Sequence, residues 1–149
     1  MTQFFQFEAD FVDSLRCIPM MVRYKLDTAG IKLKLQQWNQ FTPADRQSLL
    51  DRPCNTESEV QVFQTSLQQL IQERTGETAT ELPIDPHPPW QNRSQIPQEV
   101  QAKAQAASVT ITLEQWAALT PLQRFALIKL SQSSHEGGNF RPALREFGL

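Results

Sequence analysis

"LQQWNQFTPADRQSLL", residues 35–50, returns as "LEQWAALTPLQRFALI", residues 113–128. Sliding the chain by 78 positions aligns 18–50 with 96–128 without a gap, and twelve positions are identical where chance gives about two. The twelve pairs are Ile18/Ile96, Pro19/Pro97, Val22/Val100, Lys25/Lys103, Ala29/Ala107, Leu35/Leu113, Gln37/Gln115, Trp38/Trp116, Thr42/Thr120, Pro43/Pro121, Arg46/Arg124 and Leu49/Leu127. One deletion later, Glu59, Phe63 and Leu67 fall on Glu136, Phe140 and Leu144, so each copy spans about 50 residues. The pattern is that of an internal duplication.

The shared positions are those that helices need. Thr42-Pro43 and Thr120-Pro121 are start signals: the hydroxyl accepts from a free first-turn N–H, and proline gives up a donor that has no partner there. Three residues on, Gln123 suits a capping box well and Asp45, with its shorter side chain, less well. Pro19 and Pro97 open an earlier helix in each copy, and Gly30 supplies a left-handed cap for the first. Ile31-Lys32-Leu33-Lys34-Leu35 and Val109-Thr110-Ile111-Thr112-Leu113 alternate apolar and polar, which reads as extended chain. Two readings stay open for these stretches: a two-stranded ribbon joining the halves, or two separate connectors. Val60, Phe63, Leu67 and Leu70 form a stripe at helical spacing.

The expected architecture is mainly α, an internally duplicated, pseudo-twofold helical domain whose two units bury one face against each other, because solenoids need three or more repeats. Over the whole chain, 1–149, a single domain is expected. An N-terminal helix occupies 1–17 (Phe4, Phe7, Phe11 and Leu15 at three- and four-residue steps, Phe5 extending the face). Repeat unit 1 covers 18–71, a linker 72–95 and repeat unit 2 96–149. Four of the ten prolines fall between Pro83 and Pro89, so the linker should run over the surface with Trp90 pinning it.

With 149 residues, 40 % hydrophobic, nine Phe and three Trp, the chain has the material for a packed core. A net charge of −2 gives no electrostatic footprint for nucleic acid. The helix after Thr42 offsets Arg46 and Arg52 with Asp45 and Asp51, which argues against a DNA-reading helix. No apolar run reaches the roughly 20 residues that cross a bilayer, and Glu8 and Asp10 sit where a signal peptide wants positive charge. A cytoplasmic monomer is expected.

Chemistry is sparse. Cys17, Cys54, His87 and His135 lack the paired spacing of a zinc site, and neither glycine-rich nucleotide fingerprint occurs. No cofactor, metal ligand or catalytic residue is assigned. His135-Glu136-Gly137-Gly138-Asn139-Phe140 joins a titratable ring, a carboxylate and a flexible turn, yet Glu136 matches Glu59, an ordinary helix-start acid. Arg46 and Arg124 lie eight residues after Trp38 and Trp116, and stacking on those rings or bonding a helix end is their expected role. Charge is uneven: 16–34 hold Arg16, Arg23, Lys25, Lys32 and Lys34 against Asp27, whereas 57–85 hold six acids against Arg74. Such asymmetry orients protein partners.

"LRCIPMMVRYKLDTAGIKLKLQQW" and "TPLQRFALIKLS" with "HEGGNFRPALREFGL" resemble the nitrate reductase associated protein family, above all in Arg16-Cys17-Ile18-Pro19-Met20, Gly30-Ile31-Lys32-Leu33 and Gln123-Arg124-Phe125-Ala126-Leu127. The resemblance covers nearly the whole chain outside the linker. It implies a small cytoplasmic protein, cyanobacterial in the main, needed for an active, ferredoxin-dependent assimilatory nitrate reductase that carries molybdopterin and an iron–sulfur cluster. A non-catalytic accessory role follows, in assembly, cofactor insertion or activity. Candidate partner contacts are Arg16, Arg23, Lys25, His135, Glu136, Asn139 and Phe140, with Trp38, Trp116, Thr42, Thr120, Arg46 and Arg124 as structural anchors. The competing expectation is a small enzyme or cofactor carrier that uses Cys17, Cys54 or His135 in molybdenum or sulfur chemistry.

Overall fold

Helices dominate the computed structural model, which describes residues 5–8, 18–132 and 139–149. Residues 18–85 gather into one compact unit, and 86–149 with the segment 5–8 into another.

The first unit opens with α1 (Met20–Ala29), which begins after Pro19 and ends on Gly30 in the left-handed conformation, φ 70°. The chain then extends through β1 (Ile31–Lys32) and folds into three helices, α2 (Leu35–Asn39), α3 (Pro43–Asp51) and the long α4 (Glu57–Thr75), before β2 (Thr80–Glu81). The Thr42 start signal is a real cap. Asp45 N donates to Thr42 Oγ1 (3.1 Å) and Thr42 N to Asp45 Oδ2 (2.9 Å), so the shorter Asp closes the box after all. Thr56 and Glu59 form a second box at the head of α4. The core is Val22, Leu26, Ile31, Trp38, Phe41, Leu49, Phe63, Leu67 and Ile71, and the α4 stripe lies within it.

Of the two readings left open for the alternating stretches, a ribbon between the halves is not what forms: the ribbon lies inside this unit. β1 pairs antiparallel with β2, Ile31 opposite Glu81 and Lys32 opposite Thr80. Two residues of strand are too few to choose a partner alone. Here Gln68 makes the choice, because its side-chain amide bonds both Ala79 N–H and C=O at 2.9 Å and lays the chain beside β1. Leu82 N then donates to Gly30 O at 2.7 Å. Residues 109–112 lie outside helix and strand, and they pair with no strand among the described residues.

The second unit repeats the order of elements: α5 (Gln98–Ala106) after Pro97, an extended piece, α6 (Leu113–Ala118), α7 (Pro121–Gln132) and α8 (Phe140–Glu146). Thr120 and Gln123 exchange the capping-box bonds at 2.9 and 3.1 Å. Val100, Ile111, Trp116, Phe125, Leu127, Leu130, Phe140 and Leu144 are buried. Phe140 and Leu144 thus take the core role that Phe63 and Leu67 take in α4, as their alignment suggested.

The segment 72–95 is built in pieces. Its first residues finish α4 on left-handed Gly76, 80–81 form β2, and Pro89–Gln91 is a 3-10 turn. Trp90 pins the last piece, as expected: its ring meets Phe125 edge-on at 5.1 Å and its carbonyl takes the Arg124 Nε donor at 2.7 Å. Of the helix expected over 1–17, only 5–8 are described; Gln6–Glu8 form a 3-10 turn, with Phe5 stacked on Phe7 and edge-on to Phe147. Phe4, Phe11 and Leu15 lie outside the described residues.

Candidate functional site

Trp38 and Trp116 are wholly buried, and each removes about 200 Å² from water, worth about 5 kcal/mol before entropy is counted. The recurring pair of arginines serves these rings. Arg46 lies over the Trp38 ring, 5.2 Å to its centroid, and donates from Nη2 to Trp38 O at 3.1 Å. Arg124 is 2 % exposed and holds more: Nη1 donates to Trp116 O (3.2 Å) and Leu119 O (2.6 Å), besides the Nε bond to Trp90 O. Trp116 Nε1 donates in turn to Asn92 O at 2.9 Å. A charge enclosed this way is tolerable because carbonyl oxygens satisfy it. These are structural clamps, the role expected of them.

Lys25 departs from its expected place on the partner surface. It is 7 % exposed, and its ammonium donates to Leu49 O (3.1 Å), Leu50 O (2.6 Å) and Arg52 O (2.6 Å). Three donors meet the three carbonyls that the end of α3 leaves unpaired, a helix-terminus cap supplied by a cation where the dipole favours one. Burial pulls the Lys25 pKa below its ordinary value, and the nearby Cys54 and Asp51 oppose that shift. Cys54 lies buried beside it as a free thiol, its Sγ 4.0 Å from Lys25 O. Desolvation pushes that thiol up to about 11, so near neutral pH it is protonated and a poor nucleophile.

The other candidates divide. Arg23 is half-buried, its Nε donating to Ile18 O at 3.0 Å. Asn139 precedes α8 with an αR backbone and makes no side-chain cap. Phe140 is 2 % exposed, so it fills the core instead of meeting a partner. Arg16, Cys17, His135 and Glu136 lie outside the described residues. Sequence reasoning missed the Arg74–Asp45 bridge, with Arg74 Nε 2.8 Å from Asp45 Oδ2. The Arg74 hydrogen bond draws Asp45 down to about 2.

No group of three or more His, Cys, Asp and Glu side chains is placed to hold a metal among the described residues, and none of their helices is long and apolar enough to cross a membrane. Surface hydrophobics among them are Leu35, Val62, Leu82, Ile84 and Leu113. Among the described residues, Arg23 and Asn139 are the sequence-predicted contacts that are not fully buried.

Neither the curated proteins nor the solved structures offer a significant match to the chain. A family model for the conserved nitrate reductase-associated protein matches residues 4–147. That match spans both units and nearly all of their elements, and the chain belongs to this family.

Proposed function

We propose that the chain is a non-catalytic accessory protein that contacts nitrate reductase and supports its assembly, cofactor insertion or activity. Family membership over residues 4–147 carries the reading. Side-chain chemistry supports it: the charged and nucleophilic groups that a catalyst would deploy, Lys25, Arg124 and Cys54, are spent on backbone carbonyls or buried. The enzyme served is of the ferredoxin-dependent assimilatory type, with molybdopterin and an iron–sulfur cluster, and the setting is the cytoplasm, as in cyanobacteria.

The test expresses nitrate reductase with and without this chain and measures nitrate reduction and bound molybdenum. Low activity with low molybdenum in its absence places the chain in cofactor insertion. Full metal with low activity places it in electron delivery or conformational support. Unchanged values of both would remove the accessory role.

A further inference from the structure

The alignment that pairs Phe63 with Phe140 and Leu67 with Leu144 sets Ile71 opposite Gly148. Ile71 is completely buried, on a helix that runs on to Thr75. Its counterpart has no side chain to bury: α8 stops at Glu146, and Gly148 takes the left-handed backbone, φ 75°, that ends a helix. The second unit therefore lacks, in its own last helix, the apolar closure that α4 gives the first. The N-terminal segment arrives at this end of α8. Phe5 is 4 % exposed, its ring edge-on to Phe147 at 5.1 Å and stacked on Phe7 at 5.3 Å. Phe7 N donates to Glu146 Oε1 at 3.2 Å, across 139 positions of sequence. Buried Glu8 folds back to accept from Phe5 N, also at 3.2 Å. So short a turn has too few bonds of its own to hold its shape, so its order comes from the seat.

We infer that the turn at residues 5–8 is a clasp: it closes the core of the second unit in place of the helical turns that α4 adds in the first, and α8 stays folded only while the turn is seated. Opening the clasp frees α8 ahead of the rest of its unit, so the turn and the helix form one cooperative piece. The opposing reading is a helix already held by Phe140 and Leu144, each 2 % exposed, with the aromatic turn resting on a finished surface.

Hydrogen exchange read by NMR on the full chain separates the two, comparing the parent with Phe5→Ala, and with Phe5→Leu should the alanine variant fail to fold. The Phe7 amide, bonded to Glu146, reports the turn, and the Phe147 amide, bonded to Ala143 O at 3.0 Å, reports α8. Both should exchange about tenfold faster or more in the variant, while amides inside α4 stay within about twofold of the parent. A Phe7 amide set free over an unchanged α8 would overturn the clasp, because the helix then stands without it. Equal acceleration in α4 and α8 would overturn it too, since Phe5 would then serve the whole fold and not this one piece.

Discussion

Gly30 and Ser108 stand 78 positions apart, each just past the end of a helix, and both adopt the left-handed backbone, φ 70° and 60°. Glycine does so freely, whereas a side chain pays about 1 kcal/mol or more, partly offset by the extra freedom glycine has when unfolded. Ser108→Gly should therefore raise unfolding stability by about 0.5–1 kcal/mol in a urea titration. Gly30→Ala should do the opposite and by more, since its Cβ would stand 2.5 Å from Leu82 O on the paired backbone. Lys25 and Lys103 make a second unequal pair. Lys25→Met strands three helix-end carbonyls and should cost about 2–3 kcal/mol. Lys103 is half-buried and makes no such contact among the described residues, so Lys103→Met should stay within about 0.5 kcal/mol. Equal losses at both sites would show that the Lys25 cap contributes nothing of its own.

Four of the helices start on threonine: Thr42, Thr56, Thr112 and Thr120 each close a box with the third residue of the following helix. All four carry the Thr-x-x-Asp/Glu/Gln spacing, so even Thr56–Glu59 and Thr112–Gln115, which were not anticipated, were open to a local reading. The Asp45 box differs in being tied to another helix, because Arg74 of α4 bonds both carboxylate oxygens at 2.8 and 3.2 Å. Asp45 is ionised down to about pH 2, below the ordinary range near 3.8, and its depressed pKa favours the folded state above the unfolded value. That contribution is present above about pH 4 and lost as pH falls toward 2. Because the pair is near the surface, its size is small and salt-sensitive. Carboxyl-detected NMR should place the Asp45 midpoint near 2 in the parent and near the ordinary 3.8–3.9 in Arg74→Gln. A midpoint that stays near 2 without Arg74 would assign the shift to the Thr42 bonds instead.

Over the whole molecule, what could be read from the sequence was what the two stretches share. Trp38 and Trp116, the proline starts, the capped helices and the clamping role of Arg46 and Arg124 all follow from local chemistry or from their recurrence. What could not be read depends on distant contacts. β1 found β2 because Gln68, far along α4, holds Ala79 in place, and Lys25 left the surface because the end of α3 comes to it. Phe140 was the avoidable miss, since its match to the core residue Phe63 already argued burial. Shared identity does not always mean core, however. Leu35 and Leu113 recur at the first position of the two tryptophan helices, yet each is half exposed, 50 % and 51 %. Neither unit needs them for packing, so replacing both by Gln should leave stability within about 0.5 kcal/mol per site, read from a denaturant midpoint at unchanged slope. A loss of about 2 kcal/mol or more per site would mean that these leucines are covered in solution, by each other's units or by a second chain. Measuring the midpoint at two protein concentrations separates those cases, because stabilisation by a second chain grows with concentration and burial within one chain does not.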